Sequence, residues 1–254
     1  MNKLNFKKFG EGSPLIILHG LFGSLDNWIT LAKKFSEEYT VYILDQRNHG
    51  LSFHSDEFNY DLMAQDILDF MQWQKIDSAH LIGHSMGGKT VMNFAALYPQ
   101  KVQKLIVADI GPKFYPVHHT QIIKALYAIP VETLNSRKEA DEKMSSMISE
   151  FGIRQFLLKN LQRDGEGFKW KMNLDAIAKN IEEVGKSLNQ NATYTKATLF
   201  IRGSKSDYVL DGDLNLINSI FPRAKVETIS NAGHWLHAEK PNEFYDTVIN
   251  FLGE

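Results

Sequence analysis

Short apolar runs alternate with longer amphipathic stretches along most of the chain. Leu15–Leu18, Thr40–Leu44, Ala79–Ile82, Leu105–Ala108 and Thr198–Ile201 are apolar at nearly every position, and a weaker sixth run covers Lys225–Ile229. A strand that is apolar at consecutive positions is covered on both faces, so these runs predict a mostly parallel sheet flanked by helices. Helical spacing lies between the runs. Met63, Ile67, Phe70 and Met71 share one face after an N-cap candidate at Asn59. Phe244, Tyr245, Val248, Ile249 and Leu252 share another, with Pro241 at a first helical position. Strand and helix in alternation predict βαβ units and an α/β fold.

The alternation stops between Gly111-Pro112 and about Thr195. This stretch reads as helices only, with stripes at Ile122, Ile123, Leu126 and Tyr127, at Ala140, Met144, Met147, Ile148 and Phe151, at Ile153, Phe156, Leu157 and Leu161, and at Leu174, Ile177, Ile181 and Val184. Ser136–Glu139 has the form of a capping box ahead of the second stripe. Asp164-Gly165 marks a turn. The expected organisation is a core made of residues 1–112 and 195–254. A helical cap, residues 113–194, is inserted before the penultimate strand–helix unit.

The 254 residues, 43% of them hydrophobic, suffice for one large core carrying such an insertion. A formal net charge of −2 with no basic tract argues against a nucleic-acid partner or an anionic membrane surface. The chain contains no cysteine, which rules out disulfides, thiolate metal sites and a cysteine nucleophile and fits a reducing compartment. Residues 1–10 lack the apolar core of a signal peptide. The apolar runs are strand-sized, well short of the roughly 20 residues that span a bilayer. A cytoplasmic protein without a membrane span is expected.

The candidate chemistry centres on Gly83-His84-Ser85-Met86-Gly87, a G-x-S-x-G pattern after a strand and before a helix. A tight strand-to-helix bend would lift the Ser85 hydroxyl above the strand end, where open α/β sheets bind ligands. A phosphate-binding loop ending at Lys89-Thr90 is the competing reading, since Gly83–Thr90 also carries the G-x-x-x-x-G-K-T spacing. A hydroxyl nucleophile needs a base. His234, in Asn231-Ala232-Gly233-His234-Trp235, sits in a loop between the last predicted strand and the last helix. His19, His237, His118 and His119 read as structural or solvated. An acid must orient the imidazole, and two aspartates compete: Asp109 at the end of the fourth main run and Asp207 after the fifth. Asp175, on a helix of the insertion, ranks behind both, and Asp45 reads as part of a structural turn. The backbone N–H groups of Leu21, in His19-Gly20-Leu21-Phe22-Gly23, and of Met86 are the candidate donors to an oxyanion.

Four segments together resemble the α/β-hydrolase superfamily. They are His19–Ser24, Asp45–Ser52, Gly83–Lys89 and Ala232–Trp235. Within the superfamily they are similar to the bacterial YbfF-type esterases and their mitochondrial relatives. That resemblance implies a small capped serine esterase acting on acyl esters and thioesters, including acyl-CoA, with no metal or organic cofactor. It also implies that the acid lies at the strand end before the cap, which matches Asp109. The usual superfamily slot after the fifth strand falls on Ser206, leaving Asp207 one place late. Dehalogenases and epoxide hydrolases of this fold use an aspartate nucleophile, so Ser85 argues against both. Carbon–carbon bond hydrolysis or lyase chemistry on the same fold, and a non-catalytic ligand-binding homologue, are the alternatives. Phe151, Phe156, Trp170 and Met172 are candidate walls of an acyl pocket, and Arg154, Lys159 and Lys171 are candidate partners for a CoA phosphate.

Overall fold

The computed structural model describes residues 3–189 and 191–254. Its strands are β1 (Phe6–Phe9), β2 (Ser13–Leu18), β3 (Tyr39–Leu44), β4 (Ala79–His84), β5 (Val102–Ala108), β6 (Leu161–Asp164), β7 (Gly167–Trp170), β8 (Thr198–Gly203) and β9 (Ala224–Ile229). Its helices are α1 (Ile29–Phe35), α2 (Tyr60–Trp73), α3 (Met86–Leu97), α4 (Thr120–Tyr127), α5 (Arg137–Ser145), α6 (Phe151–Leu158), α7 (Leu174–Lys179), α8 (Ile181–Gly185), α9 (Leu214–Ile220), α10 (Leu236–Glu239) and α11 (Pro241–Gly253). Seven strands form one sheet in the order β1-β3-β2-β4-β5-β8-β9. Every neighbouring pair in it is parallel except β1 with β3.

The continuous apolar runs follow from a sheet buried on both faces. In β2, Ile16 and Leu18 enter one core with Phe70 and Met71 of α2 and Val91 and Phe94 of α3. Leu15 and Ile17 enter the opposite core with Phe35 of α1 and Phe244 and Val248 of α11. β5 divides likewise, Leu105 and Val107 to the first face, Ile106 and Ala108 to the second. Each such side chain contributes about 1.5–3 kcal/mol by leaving water. The helix starts obey local chemistry. The Asn59 side chain accepts the Leu62 N–H at 3.0 Å and caps α2, and Pro241 opens α11.

The segment between β5 and β8 is not helices only. Leu161–Asp164 and Gly167–Trp170 pair antiparallel as a hairpin. The Asp164-Gly165 turn that the sequence marks closes it, with Gly165 at φ 58°. Four-residue strands are too short to show a period against the helical stripes around them. Leu161 therefore leaves the third stripe and belongs to β6. The fourth stripe is two helices, α7 and α8. Ser136 does cap α5, accepting the Glu139 N–H at 3.2 Å. A third apolar cluster joins Leu126, Met144, Leu157 and Ile177 of this segment to Leu21, Phe22, Phe58 and Met86 at the strand ends. The segment thus rests on the rim of the sheet where β2 and β4 end.

Candidate active site

Ser85 is the one residue between β4 and α3, and its backbone is held at φ 53°, ψ −119°. Residues with a Cβ avoid this region, at a cost on the order of 1–3 kcal/mol. The glycines two residues away make the bend possible by close approach. A Cβ on Gly83 would stand 2.2 Å from the Gly87 carbonyl oxygen, and one on Gly87 would stand 2.6 Å from the carbonyl oxygens of both Leu18 and His19. The Ser85 N–H donates to the Ala108 carbonyl at 3.0 Å, and its carbonyl accepts the Lys89 N–H at 3.0 Å. The side chain is left half-buried at the sheet rim.

The structure brings Ser85, His234 and Asp109 together across more than a hundred residues of chain. His234 Nε2 lies 3.0 Å from Ser85 Oγ, and His234 Nδ1 lies 2.8 Å from Asp109 Oδ2. Asp109 follows the last residue of β5 at φ 51°, with its side chain 0% exposed. It accepts the Gly203 N–H at 3.0 Å and the Ser206 hydroxyl. Asp207 lies in the next position, exposed, and makes no hydrogen bond among the described residues. Asp175 accepts the Tyr127 hydroxyl at 2.7 Å, in the insertion. Asp45 organises the loop after β3, accepting the N–H groups of Leu25 at 2.7 Å and Leu51 at 2.9 Å.

Around His234, Tyr208 stacks on the imidazole at 3.9 Å between centroids and 15° between planes. The His84 Nε2–H donates to the His234 carbonyl at 2.8 Å and holds its loop. Burial, reinforced by neighbouring imidazoles, pushes His119 and His237 down to about 3 and His84 well below the usual histidine value. Those three rings are neutral at pH 7. Burial also lowers His19 to about 4, and its Nε2 accepts the Gln46 N–H at 3.1 Å.

The loop after β2 runs against the bend: a Cβ on Gly20 would lie 3.1 Å from Ser85 Cβ. The N–H groups of Leu21, in this loop, and of Met86, the first residue of α3, have no partner among the described residues. The first N–H groups of a helix lack an intrahelical acceptor and carry partial positive charge. Two residues reach this loop from far along the chain. The Asn160 amide donates to the Phe22 carbonyl at 2.7 Å, and Phe22 at φ 58° donates its N–H to His49 Nε2 at 3.2 Å.

A cavity of about 240 Å³ opens beside Ser85 and His234, walled by Leu21, Phe22, Ile122, Ile153, Phe156 and Trp235 among others. Among the described residues no lysine, arginine, aspartate or glutamate lines it. Of the four proposed wall residues only Phe156 does. Met172 is buried in the third cluster, Trp170 packs against that cluster, and Phe151 is 63% exposed. Arg154 is held by Asp141 at 2.8 Å and by the Ile148 and Ser149 carbonyls, and Lys171 lies 3.7 Å from Asp26. Lys159 lines a separate groove on the insertion. A recess of about 30 Å³ also borders Ser85, with Met86, Ile110 and Tyr115 in its wall. Tyr208 and Asn160 escape sequence reasoning, because the contacts that bring them to the site are long-range and neither stands in a recognisable motif, whereas Ser206, the slot where the resemblance looks for an acid, instead donates its hydroxyl to Asp109. An imidazole bonded to a hydroxyl on one side and a buried carboxylate on the other can withdraw the hydroxyl proton as the oxygen attacks an acyl carbon.

Among the described residues no helix is long and apolar enough to cross a membrane. Residues 13–241 match the model of the alpha/beta hydrolase fold family. The chain is 39% identical over 246 residues to the sn-1-specific diacylglycerol lipase ABHD11 of Mus musculus, covering 94% of this chain and 80% of that protein. It is 37% identical over 245 residues to the esterase YbfF of Escherichia coli, covering 96% and 94%. A solved structure of a marine microorganism esterase superposes with a TM-score of 0.94 at 45% identity, covering 99% of this chain and 100% of that one.

Proposed function

The chain belongs to the alpha/beta hydrolase fold family, and from that premise we propose that it hydrolyses acyl esters through Ser85, His234 and Asp109. It is a carboxylic ester hydrolase, as its esterase and lipase relatives are named. One observation carries the assignment of roles, the line from hydroxyl to imidazole to buried carboxylate at 3.0 and 2.8 Å.

His234 takes the Ser85 proton as Oγ attacks the acyl carbon. The Asp109 carboxylate holds Nδ1–H, fixing the tautomer and balancing the imidazolium that forms. The N–H groups of Leu21 and Met86, without a partner among the described residues, receive the oxyanion. His234 then protonates the departing alcohol or thiol. Water, deprotonated by the same imidazole, releases the acid from Ser85. Residues 113–194, helices and one hairpin, serve as a cap over the core of 1–112 and 195–254. An apolar wall without charged side chains favours a neutral acyl group. Thioesters follow the same steps, and the phosphates of an acyl-CoA would have to lie outside the cavity.

The test is a panel of p-nitrophenyl esters and acyl-CoA thioesters on wild type and Ser85→Ala, beside labelling by a fluorophosphonate. Ser85→Ala is expected to lose about 10³–10⁶-fold in kcat and all labelling. An unlabelled, folded wild type inactive on every ester would instead favour a ligand-binding protein. Turnover of carbon–carbon substrates alone would favour the lyase-type reading.

A further inference from the structure

Lys89 closes the elbow motif, yet the proposed chemistry does not use it. It is the fourth residue of α3, one turn beyond Ser85, and only 1% exposed. Its Nζ donates to the Lys113 carbonyl and, at 2.7 Å, to the Lys186 carbonyl. The same ammonium stands 5.1 Å from the centre of the Tyr115 ring. Among the described residues no carboxylate pairs with it. Burial, with Lys113 nearby, pushes it down to about 7. A cation in the first turn of a helix also opposes the helix dipole. A methionine would fill this volume without either penalty, so the position calls for what carbon cannot do.

The two carbonyls identify that task. Lys113 and Lys186 lie on the two stretches by which the chain leaves the sheet after β5 and returns towards β8. These stretches run side by side: the Tyr115 N–H donates to the Gly185 carbonyl and the Leu188 N–H to the Pro112 carbonyl, both at 2.8 Å. Neither bond ties them to the nucleophile helix. Lys89 does, with one group bonded to both. From there the Tyr115 hydroxyl reaches the Tyr208 carbonyl at 2.6 Å, and Tyr208 covers His234.

We propose that Lys89 is a positioning residue that clamps both chain crossings of the 113–194 segment to the nucleophile helix, so that the segment closes the substrate cavity in one fixed placement. The proposal rests on the esterase reading for its kinetic consequence. The clamp acts on substrate binding, because Lys89 touches none of Ser85 Oγ, His234 and Asp109.

Two measurements separate the clamp from the esterase reading. In Lys89→Met, KM for a p-nitrophenyl ester should rise about tenfold or more with kcat within about threefold, the loss expected when charge-assisted hydrogen bonds are removed. Amide exchange at 113–115 and 184–188 should quicken in the same variant, a readout that needs no activity. The absence of cysteine allows a rescue. Lys89→Cys, alkylated while unfolded with 2-bromoethylamine and refolded, regains an ammonium at lysine length, and alkylation with 1-bromopropane gives the same length without it. The aminoethyl form should recover wild-type KM and exchange, and the propyl form should behave as Lys89→Met. Unchanged KM and exchange in Lys89→Met, or equal behaviour of the two alkylated forms, overturns the clamp. That comparison also decides the matter where Lys89→Met does not fold. A wild type inactive on all esters counts against the esterase reading alone, and exchange still judges the clamp.

Discussion

Asp109 and Asp207 show how much one residue's place depends on the fold. Each follows a predicted strand by a few positions, and each could face an imidazole on paper. In the structure Asp109 is sealed against His234 with Gly203 and Ser206 as further donors, and Asp207 points to an exposed turn. Asp109→Asn should therefore lower kcat on a p-nitrophenyl ester by about 10³–10⁴-fold, since the amide selects the wrong tautomer. Asp207→Asn should stay within about threefold. Equal losses would place the acid elsewhere. Ser85 and His234 were legible because each sits in a short motif whose context, strand end and late loop, is itself readable. The acid was not settled by the residues alone. Its identity depends on which of two loops reaches a histidine 125 positions away. Tyr208 acts by stacking on His234 and Asn160 by an amide bond to a carbonyl 138 positions away, and neither contact leaves a trace in local sequence.

At the scale of elements, the turn from β4 into α3 depends on absence of side-chain atoms as much as on presence. Gly87→Ala places a methyl group 2.6 Å from two carbonyl oxygens that belong to β2 and its loop. The helix must shift or the loop must yield, and either moves Ser85. The expected cost is about 2–4 kcal/mol in urea unfolding together with most of the activity. Gly212→Ala meets nothing within 4 Å and should cost under about 1 kcal/mol. The main strands were readable because burial on both faces writes them as continuous apolar runs. The β6–β7 hairpin was not, because four residues cannot establish a two-residue period against helical neighbours. β1 is short and carries Lys7 and Lys8, the charges that keep an edge strand from pairing with another molecule.

Across the whole molecule, the buried histidines tie stability to pH. His19 and His80 are lowered to about 4, and His49, His119 and His237 to about 3, all chiefly by burial. The unfolded chain binds protons at these rings below its ordinary value near 6.5, and the folded chain refuses them until pH 3–4. The unfolded state thus holds more protons in that window, so stability rises with pH there and is lost as pH falls. The melting temperature, followed by circular dichroism, should drop steeply between about pH 6 and pH 4 and flatten above about pH 7. A flat profile across that window would mean that these rings are hydrated in solution.

The carboxylate beside His234 belongs to the last residue before the chain sets out towards the 113–194 segment. Lengthening, shortening or re-angling that excursion tugs first on Asp109. A lineage remodelling that segment would therefore risk drawing the carboxylate away from His234 with every insertion. The hydroxyl of Ser206, anchored on an independent strand end, gives that carboxylate a second mooring against such drift.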